Sequence, residues 1–239
     1  ITSNIGSLEN EGFEFAIDYF YNRNRDFMWS INLNGTFQST TLLDLALQEG
    51  TDFLLFGDNV RRQYQILEEN KPYGNYVGYE TDGLYQNQAE IDGSAQPNSM
   101  PGDMKYIDQN GDGAINAEDF VVLGNALPDF FGGFSYNVSY KDFDLSLFFF
   151  TMLGHEIFNY DSYYWKYGLE LTEYNKIKEV ATQRWTGEGT SNDIPRAGYK
   201  PVNISDGPQG AIDRMVENAS FLRLRNVTFA YNIPQNLIN

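Results

Sequence analysis

Phe13-Glu-Phe-Ala-Ile-Asp-Tyr-Phe-Tyr21, Asn22-Arg-Asn-Arg-Asp26 and Phe27-Met-Trp-Ser-Ile-Asn-Leu-Asn-Gly-Thr-Phe37 form one continuous stretch, and its alternation decides the fold. Phe13, Phe15, Ile17, Tyr19 and Tyr21 share one parity, with Glu14, Ala16 and Asp18 on the other. Past the polar turn, Phe27, Trp29, Ile31, Leu33 and Phe37 oppose Ser30, Asn32, Asn34 and Thr36. Successive side chains of a strand point to opposite faces, so this two-residue period gives each run one apolar and one polar face. Two such runs around a short polar turn predict a hairpin. A soluble sandwich gives the same pattern, because its outer face is also polar. The small residues Ser30, Asn32 and Thr36 fit a water-filled lumen better than an open surface, where Lys and Glu are more usual.

The pattern returns at Gly132. Phe134, Tyr136, Val138 and Tyr140 oppose Ser135, Asn137 and Ser139, and Lys141-Asp142 makes a tight turn. Leu145, Leu147 and Phe149 then run back on one face, with Asp144, Ser146, Phe148 and Phe150 on the other. A last strand alternates cleanly only at Val227, Phe229 and Tyr231. Arg223 and Arg225 share that parity, which predicts a bulge or an end outside the apolar layer. The predicted strands cover about 12–22, 27–38, 131–141, 143–154 and 220–232, and the long connections about 39–130 and 156–219. One helix is predicted in the second connection, from Thr172 to Trp185. Thr172 is its N-cap, Tyr174, Ile177, Ala181 and Trp185 its apolar stripe, and Gly187 its stop.

Short and long connections therefore alternate, with short turns at 22–26, 141–143 and 233–236. Outer-membrane barrels show this asymmetry, tight periplasmic turns against long extracellular loops. Tyr19, Tyr21, Phe27, Trp29, Tyr140, Phe229 and Tyr231 gather at the short-turn level, as an interfacial aromatic girdle does. The fold class read from these features is all-β, an arc of strands from an antiparallel transmembrane β-barrel, with one short helix in a loop.

Composition narrows the functions. Net charge is -17, from 33 acidic and 16 basic residues, which argues against nucleic-acid binding because nothing neutralises phosphates. There is no cysteine and one histidine, His155, so thiol chemistry is excluded and a His-based triad or zinc cluster has little to build from. Mean hydropathy is -0.47, and no apolar run reaches the roughly 18 residues of a spanning helix. Barrel strands average to neutral hydropathy, so this leaves a barrel open. Aromatics, with 17 Tyr and 18 Phe, suit a membrane-interface belt or a carbohydrate-binding surface. Tyr73, Tyr76, Tyr79 and Tyr85 could stack on sugars or pack within a long folded loop. Abundant Asp and Glu read as a solvated acidic surface, and no enzyme is predicted. The chain opens in mid-strand and reads as a piece of a longer protein.

Asp108-Gln-Asn-Gly-Asp-Gly-Ala-Ile-Asn-Ala-Glu-Asp119 carries a calcium-loop pattern. Asp108, Asn110 and Asp112 alternate so that their oxygens converge on one cation. Gly113 supplies the bend, the Ala114 carbonyl is a further ligand, Ile115 is the apolar anchor and Asp119 closes the loop. Closure by Asp instead of a bidentate Glu implies weaker affinity. A structural Ca²⁺ is expected; an ion-free Asx- and Gly-rich turn is the alternative.

Around this loop, Gly102-Asp-Met-Lys-Tyr-Ile-Asp108, Leu127-Pro-Asp-Phe-Phe-Gly-Gly-Phe134 and Phe143-Asp-Leu-Ser-Leu-Phe-Phe-Phe150 resemble the SusC/RagA-like TonB-dependent outer-membrane transporters. Glu217-Asn-Ala-Ser-Phe-Leu-Arg-Leu-Arg-Asn-Val-Thr-Phe-Ala-Tyr-Asn-Ile-Pro234 looks like a late barrel strand of the same family. The resemblance implies that the barrel is large and plugged, that these are late strands of it, and that it sits in the outer membrane of a Bacteroidetes-like Gram-negative cell. It would import oligosaccharide or peptide nutrients beside a SusD-like surface lipoprotein, contacting TonB through an N-terminal region not in this chain. The substrate-binding residues are not legible. The other reading is a secreted, calcium-stabilised all-β carbohydrate-binding module.

Overall fold

The alternating runs form strands because their β-branched and aromatic residues fit a pleated surface, while Gly, Asn and Asp mark the turns between them. The structure, a computed structural model, describes residues 6–24, 26–45, 52–57, 64–168, 175–200 and 211–234. Five strands carry the main sheet: β1 (Gly6–Asn24), β2 (Phe27–Leu45), β3 (Phe130–Tyr140), β4 (Phe143–Leu153) and β5 (Phe221–Tyr231). They pair in chain order as β1-β2-β3-β4-β5, with Lys71–Pro72 added beside β2. The first two strands are 19 residues each, longer than the alternation alone marks, since β1 begins six residues before Gly12 and β2 runs on to Leu45. The 235–236 part of the last expected turn lies outside the described residues.

Register sets which side chains share a face. In the β2–β3 and β3–β4 ladders, Ile31 lies opposite Tyr136 and Tyr136 opposite Leu147. On the other parity Ser30 lies opposite Asn137, and Asn137 opposite Ser146. The β4–β5 ladder slips by one residue, so that Phe148 pairs with Asn226 but Phe149 pairs with Leu224. Arg225 is thereby the extra residue of a β-bulge. The bulge returns Leu222 and Leu224 to the apolar side with Val227, Phe229 and Tyr231.

The chain divides into two compact units. One holds the sheet: Leu8–Thr41, Leu127–Glu156 and Asn218–Asn239. The other joins the two long connections, Leu42–Ala126 and Ile157–Glu217, with Ile1–Ser7. This loop unit has a core of its own, built from Tyr79, Leu84, Met104 and Tyr106 of the first connection and from Tyr167, Val180, Ile194, Tyr199, Ile212 and Met215 of the second. Its regular elements are short strands, among them Phe53–Phe56, Gln65–Glu68, Asn75–Gly78 and Val121–Asn125 in one sheet.

The predicted helix is shorter than its periodicity. Thr172 and Tyr174 lie outside the described residues, and the helix spans Lys178–Gln183. Ile177 and Arg184 flank it in extended conformation. Val180 is its buried residue, while Ala181 is exposed. Trp185 leaves the helix, its N–H donating to the Ile194 carbonyl at 2.9 Å and its Nε1 to Gln86 Oε1 at 3.3 Å. A second helical turn, Gln88–Ile91, is capped by Asn87, whose side chain accepts from Glu90 N.

Candidate functional site

Across the main sheet the two faces differ in chemistry. One carries Phe13, Ile17, Leu33, Tyr140, Phe143, Leu224, Val227 and Phe229, all more than a third exposed. Such a continuous apolar surface is far beyond the scattered exposed residues of an ordinary soluble domain. At its short-turn end the rings cluster. Tyr19 and Tyr21 lie 5.2 and 5.9 Å from Trp29, Phe27 lies 6.4 Å from Tyr140, and Phe143 lies 4.8 Å from Tyr231.

The opposite face is stitched by side-chain hydrogen bonds. Asn32 donates to Asp18 across β1 and β2. Asn137 Nδ2 donates to Ser30 Oγ at 3.2 Å, and Ser146 Oγ donates to Asn137 Oδ1. Ser139 Oγ donates to Asp144 Oδ1, whose Oδ2 accepts from Asn232 Nδ2 at 2.9 Å. Short polar side chains that satisfy one another along a sheet make a wall facing water or polar protein.

The expected cation loop folds as a chain of Asx turns. Gly111 and Gly113 have φ of 73° and 86°, the left-handed region, with open space where a Cβ would sit. Asp108 Oδ1 accepts from Gly111 N at 2.7 Å and Oδ2 from Gly113 N at 2.8 Å. Asn110 Oδ1 accepts from Asp112 N at 3.0 Å, and Asp112 Oδ1 from Ala114 N at 2.8 Å. The Ala114 bond, with help from the Asn110 and Asn116 amides and against slight desolvation, holds the Asp112 carboxyl below its ordinary range. Asn110 Nδ2 and Asn116 Nδ2 both donate to Asp112 Oδ2, at 3.2 and 3.0 Å, and Asn110 Nδ2 also reaches Glu118 Oε2 at 3.0 Å. The Asn110 NH₂ group thus stands between the Asp112 and Glu118 carboxylates, where a cation would serve the same electrostatic purpose.

Asp119 sits apart from that cluster. It is fully buried, with Oδ1 accepting from Gln109 N at 2.9 Å and Oδ2 from Asn116 N at 2.7 Å. The second bond completes a capping box with Asn116 on the 3-10 turn Ala117–Asp119. The side-chain oxygens of Asp108, Asn110 and Asp112 thus accept backbone N–H groups of the loop, and exposed Ala114 follows them. Asp119 would have to exchange two backbone bonds to join. Among the described residues no three His, Asp or Glu side chains converge as a ligand set.

The four tyrosines considered as sugar platforms divide. Tyr76, Tyr79 and Tyr85 are buried, and only Tyr73 is partly exposed. Tyr79 packs edge-on to Tyr106 at 5.8 Å, and its hydroxyl has no hydrogen-bond partner among the described residues. Burial, and then the charge of Asp119, push that phenol well above its usual range. His155 packs against Phe221, with ring centroids 6.4 Å apart.

A polar network ties the connections within the loop unit. Arg214 Nη1 donates to Asp193 Oδ1 at 2.7 Å and its Nε to Thr81 Oγ1 at 2.8 Å, while Thr81 donates to Asp213 at 2.8 Å. Lys166 completes the cluster, 2.7 Å from Asp193 Oδ2. Partial burial opposes ionisation of Asp193, but the bond and charge of Lys166 and those of Arg214 outweigh it and lower its carboxyl.

Known proteins match the chain along its whole length. No protein-family model matches. TonB-dependent receptor P26 of Formosa agariphila is 38% identical over 240 residues, covering 97% of this chain and 23% of that protein. TonB-dependent receptor P3 of the same organism is 34% identical over 242 residues, covering 98% of this chain and 23% of that protein. TonB-dependent receptor SusC of Bacteroides thetaiotaomicron is 27% identical over 240 residues, covering 99% of this chain and 22% of that protein. The chain belongs to the SusC-like TonB-dependent receptors. Its fold agrees: the RagAB peptide transporter superposes with a TM-score of 0.72 at 22% identity, over 98% of this chain and 24% of that one. The chain spans about a quarter of the length of the receptors it matches.

Within this receptor segment, the polar and apolar parities were legible as sequence, because each strand repeats them. Glu118 and Asn116, which complete the loop's hydrogen bonds, were missed. The signal available was Asn116-x-x-Asp119, a capping-box spacing that competes with the closing-ligand spacing for the same carboxylate.

Proposed function

We propose that this segment is part of the wall and surface loops of an outer-membrane importer that takes up oligosaccharide or peptide nutrients. The observation that carries the reading is the five-strand sheet with one continuous exposed apolar face and one hydrogen-bonded polar face, in a chain related to TonB-dependent receptors. In this reading the apolar face meets lipid, the polar face meets the lumen or plug, and the loop unit stands on the extracellular side. TonB drives the complete receptor, and a SusD-like lipoprotein is its surface partner. Among the described residues no helix is long and apolar enough to cross a membrane, so crossing falls to the strands. The role is transport and not catalysis. A Ca²⁺ held by Asp108, Asn110, Asp112 and the Ala114 carbonyl would be structural, with Asp119 joining only by leaving its cap. The secreted sugar-binding module lacks a reason for its exposed apolar sheet.

Ile31 and Asn32 are adjacent and face opposite sides, which makes a matched test in the full-length receptor. Ile31→Arg is expected to cost about 2–4 kcal/mol and to deplete folded receptor from the membrane, with Asn32→Arg costing far less. Heat-modifiable gel migration reads both. Single cysteines read sidedness in intact cells. Cys at Asp92, in the loop unit, should react with an impermeant thiol reagent, and Cys at Asp142, in the β3–β4 turn, should not. Reversed labelling would invert the proposed orientation.

A further inference from the structure

We propose that the loop unit carries a binding site for an acidic sugar, whose carboxylate or sulfate is taken by Lys200 and Arg196. The site is an open cavity of about 410 Å³ walled by 95–103 and 196–200, with Ile115 at its side. Cavities of roughly 300–1,000 Å³ are the usual size for small ligands.

The cavity's own lining carries two cations, Arg196 and Lys200, against one carboxylate, Asp103, in a chain whose net charge is -17. Lys200 is exposed and has no ion pair or side-chain hydrogen bond among the described residues.

Arg196 is held in place. Its Nε donates to Asp103 Oδ1 at 2.6 Å and its Nη1 to the Ala197 carbonyl at 3.3 Å, which leaves Nη2 without a partner among the described residues. Asp103 spends its other oxygen on Met100 N at 2.9 Å. Asp103 therefore acts as a positioning residue. It neutralises one charge, so Lys200 supplies the excess, while the fixed guanidinium offers a preorganised edge to a carboxylate or sulfate oxygen.

The remaining lining suits a sugar ring. Asn98 is exposed with its amide unspent among the described residues, and the Ser99 hydroxyl accepts from Gln96 and keeps its own proton to donate. Met100, 54% exposed, and Ile115 offer apolar surface to a ring's C–H face. An acidic peptide bound by strand addition would need an exposed sheet edge, and one bound through its charges alone is the outcome that the dipeptide probe tests. Segments 95–103 and 196–200 contain no strand.

The proposal names a ligand class for the importer read above, and it rests on that reading only for access from outside the cell. Titration calorimetry on the full-length receptor in detergent tests it without transport, so failure here leaves import intact, and failed import would not erase binding. The probes are D-glucuronate, glucose 6-sulfate, D-glucose and the dipeptide acetyl-Glu-Glu-amide. One or both acidic sugars should bind, glucose should not, and the comparison of the two separates carboxylate from sulfate recognition. Lys200→Gln should weaken that binding about tenfold or more, since a hydrogen bond to a charged group is involved. Lys200→Arg should retain it, and Arg184→Gln, outside the cavity, should leave it unchanged. Binding of glucose as strong as that of its acids, loss of no affinity in Lys200→Gln, or no binding by any probe would each overturn the site. Tighter binding of the dipeptide with the same Lys200 dependence would overturn the sugar class.

Discussion

Asp119 stands at the position where two local chemistries ask for a carboxylate. A calcium loop places its closing ligand there, and a capping box places an acceptor for the Asn116 N–H there. The structure gives the carboxylate to the cap, with bonds of 2.9 and 2.7 Å from Gln109 and Asn116. The two roles separate experimentally in the full-length receptor. Asp112→Ala should abolish a Ca²⁺ binding heat, because Asp112 lies in the exposed cluster with Asn110 and Asn116. Asp119→Asn should leave that heat nearly intact and instead lower stability by about 1 kcal/mol, the usual scale of a lost cap. A Ca²⁺ heat lost equally in both would return Asp119 to the ligand set. No heat in the parent would leave an Asx-turn loop without an ion. At this scale the alternating Asp108, Asn110 and Asp112 were legible because turn chemistry is local. The burial of Asp119 was not, because it is set by packing from distant segments.

Strand periodicity makes the main sheet legible in the sequence, and one defect in it is legible too. Arg223 and Arg225 fall on the parity of Val227, Phe229 and Tyr231, a conflict that a single extra residue resolves. The ladder places that residue at Arg225, between the pairs Phe148–Asn226 and Phe149–Leu224. Arg223 is thereby moved to the polar side, its guanidinium 4.8 Å from the Phe221 ring centre. Deleting Arg225 should consequently remove the bulge and leave every other facing unchanged, so the receptor is expected to assemble near its normal level. Deleting Thr228, which pairs regularly with Ser146, should flip one end of β5 and block assembly. Heat-modifiable migration and surface labelling read the difference, and equal loss in both deletions would place the bulge elsewhere. The helix shows where periodicity misleads. Ile177, Ala181 and Trp185 carry a four-residue spacing, yet Trp185 bonds outside the helix to Ile194 and Gln86, and the helix stops at Gln183.

Taken whole, the two long connections are not two loops but one folded unit, and this was the least legible feature. Its core joins residues as far apart as Tyr79 and Ile212, through irregular chain whose apolar residues keep no period. Three backbone bonds mark its span: Tyr79 N to Ala211 O at 3.0 Å, Trp185 N to Ile194 O at 2.9 Å, and Asn159 N to Met215 O at 2.7 Å. Arg214 binds Thr81 of the first connection and Asp193 of the second, so its loss should loosen both at once. Arg214→Ala is expected to cost about 1–2 kcal/mol, discounted because Asp193 is half exposed. Hydrogen exchange in the full-length receptor should then show the Tyr79, Trp185 and Asn159 amides losing protection together, with the β3–β4 amides unchanged. Acid should act in the same direction. Asp193 is lowered in the folded state, so its contribution is complete above the ordinary carboxylate range and disappears as pH falls through the lowered value. The parent should therefore lose protection at those three amides on acidification, and Arg214→Ala should show a smaller pH dependence because part of the cause is already gone. If the three amides respond separately, the connections fold as independent loops; if the variant keeps the parent's full pH dependence, Arg214 is not part of what depresses Asp193.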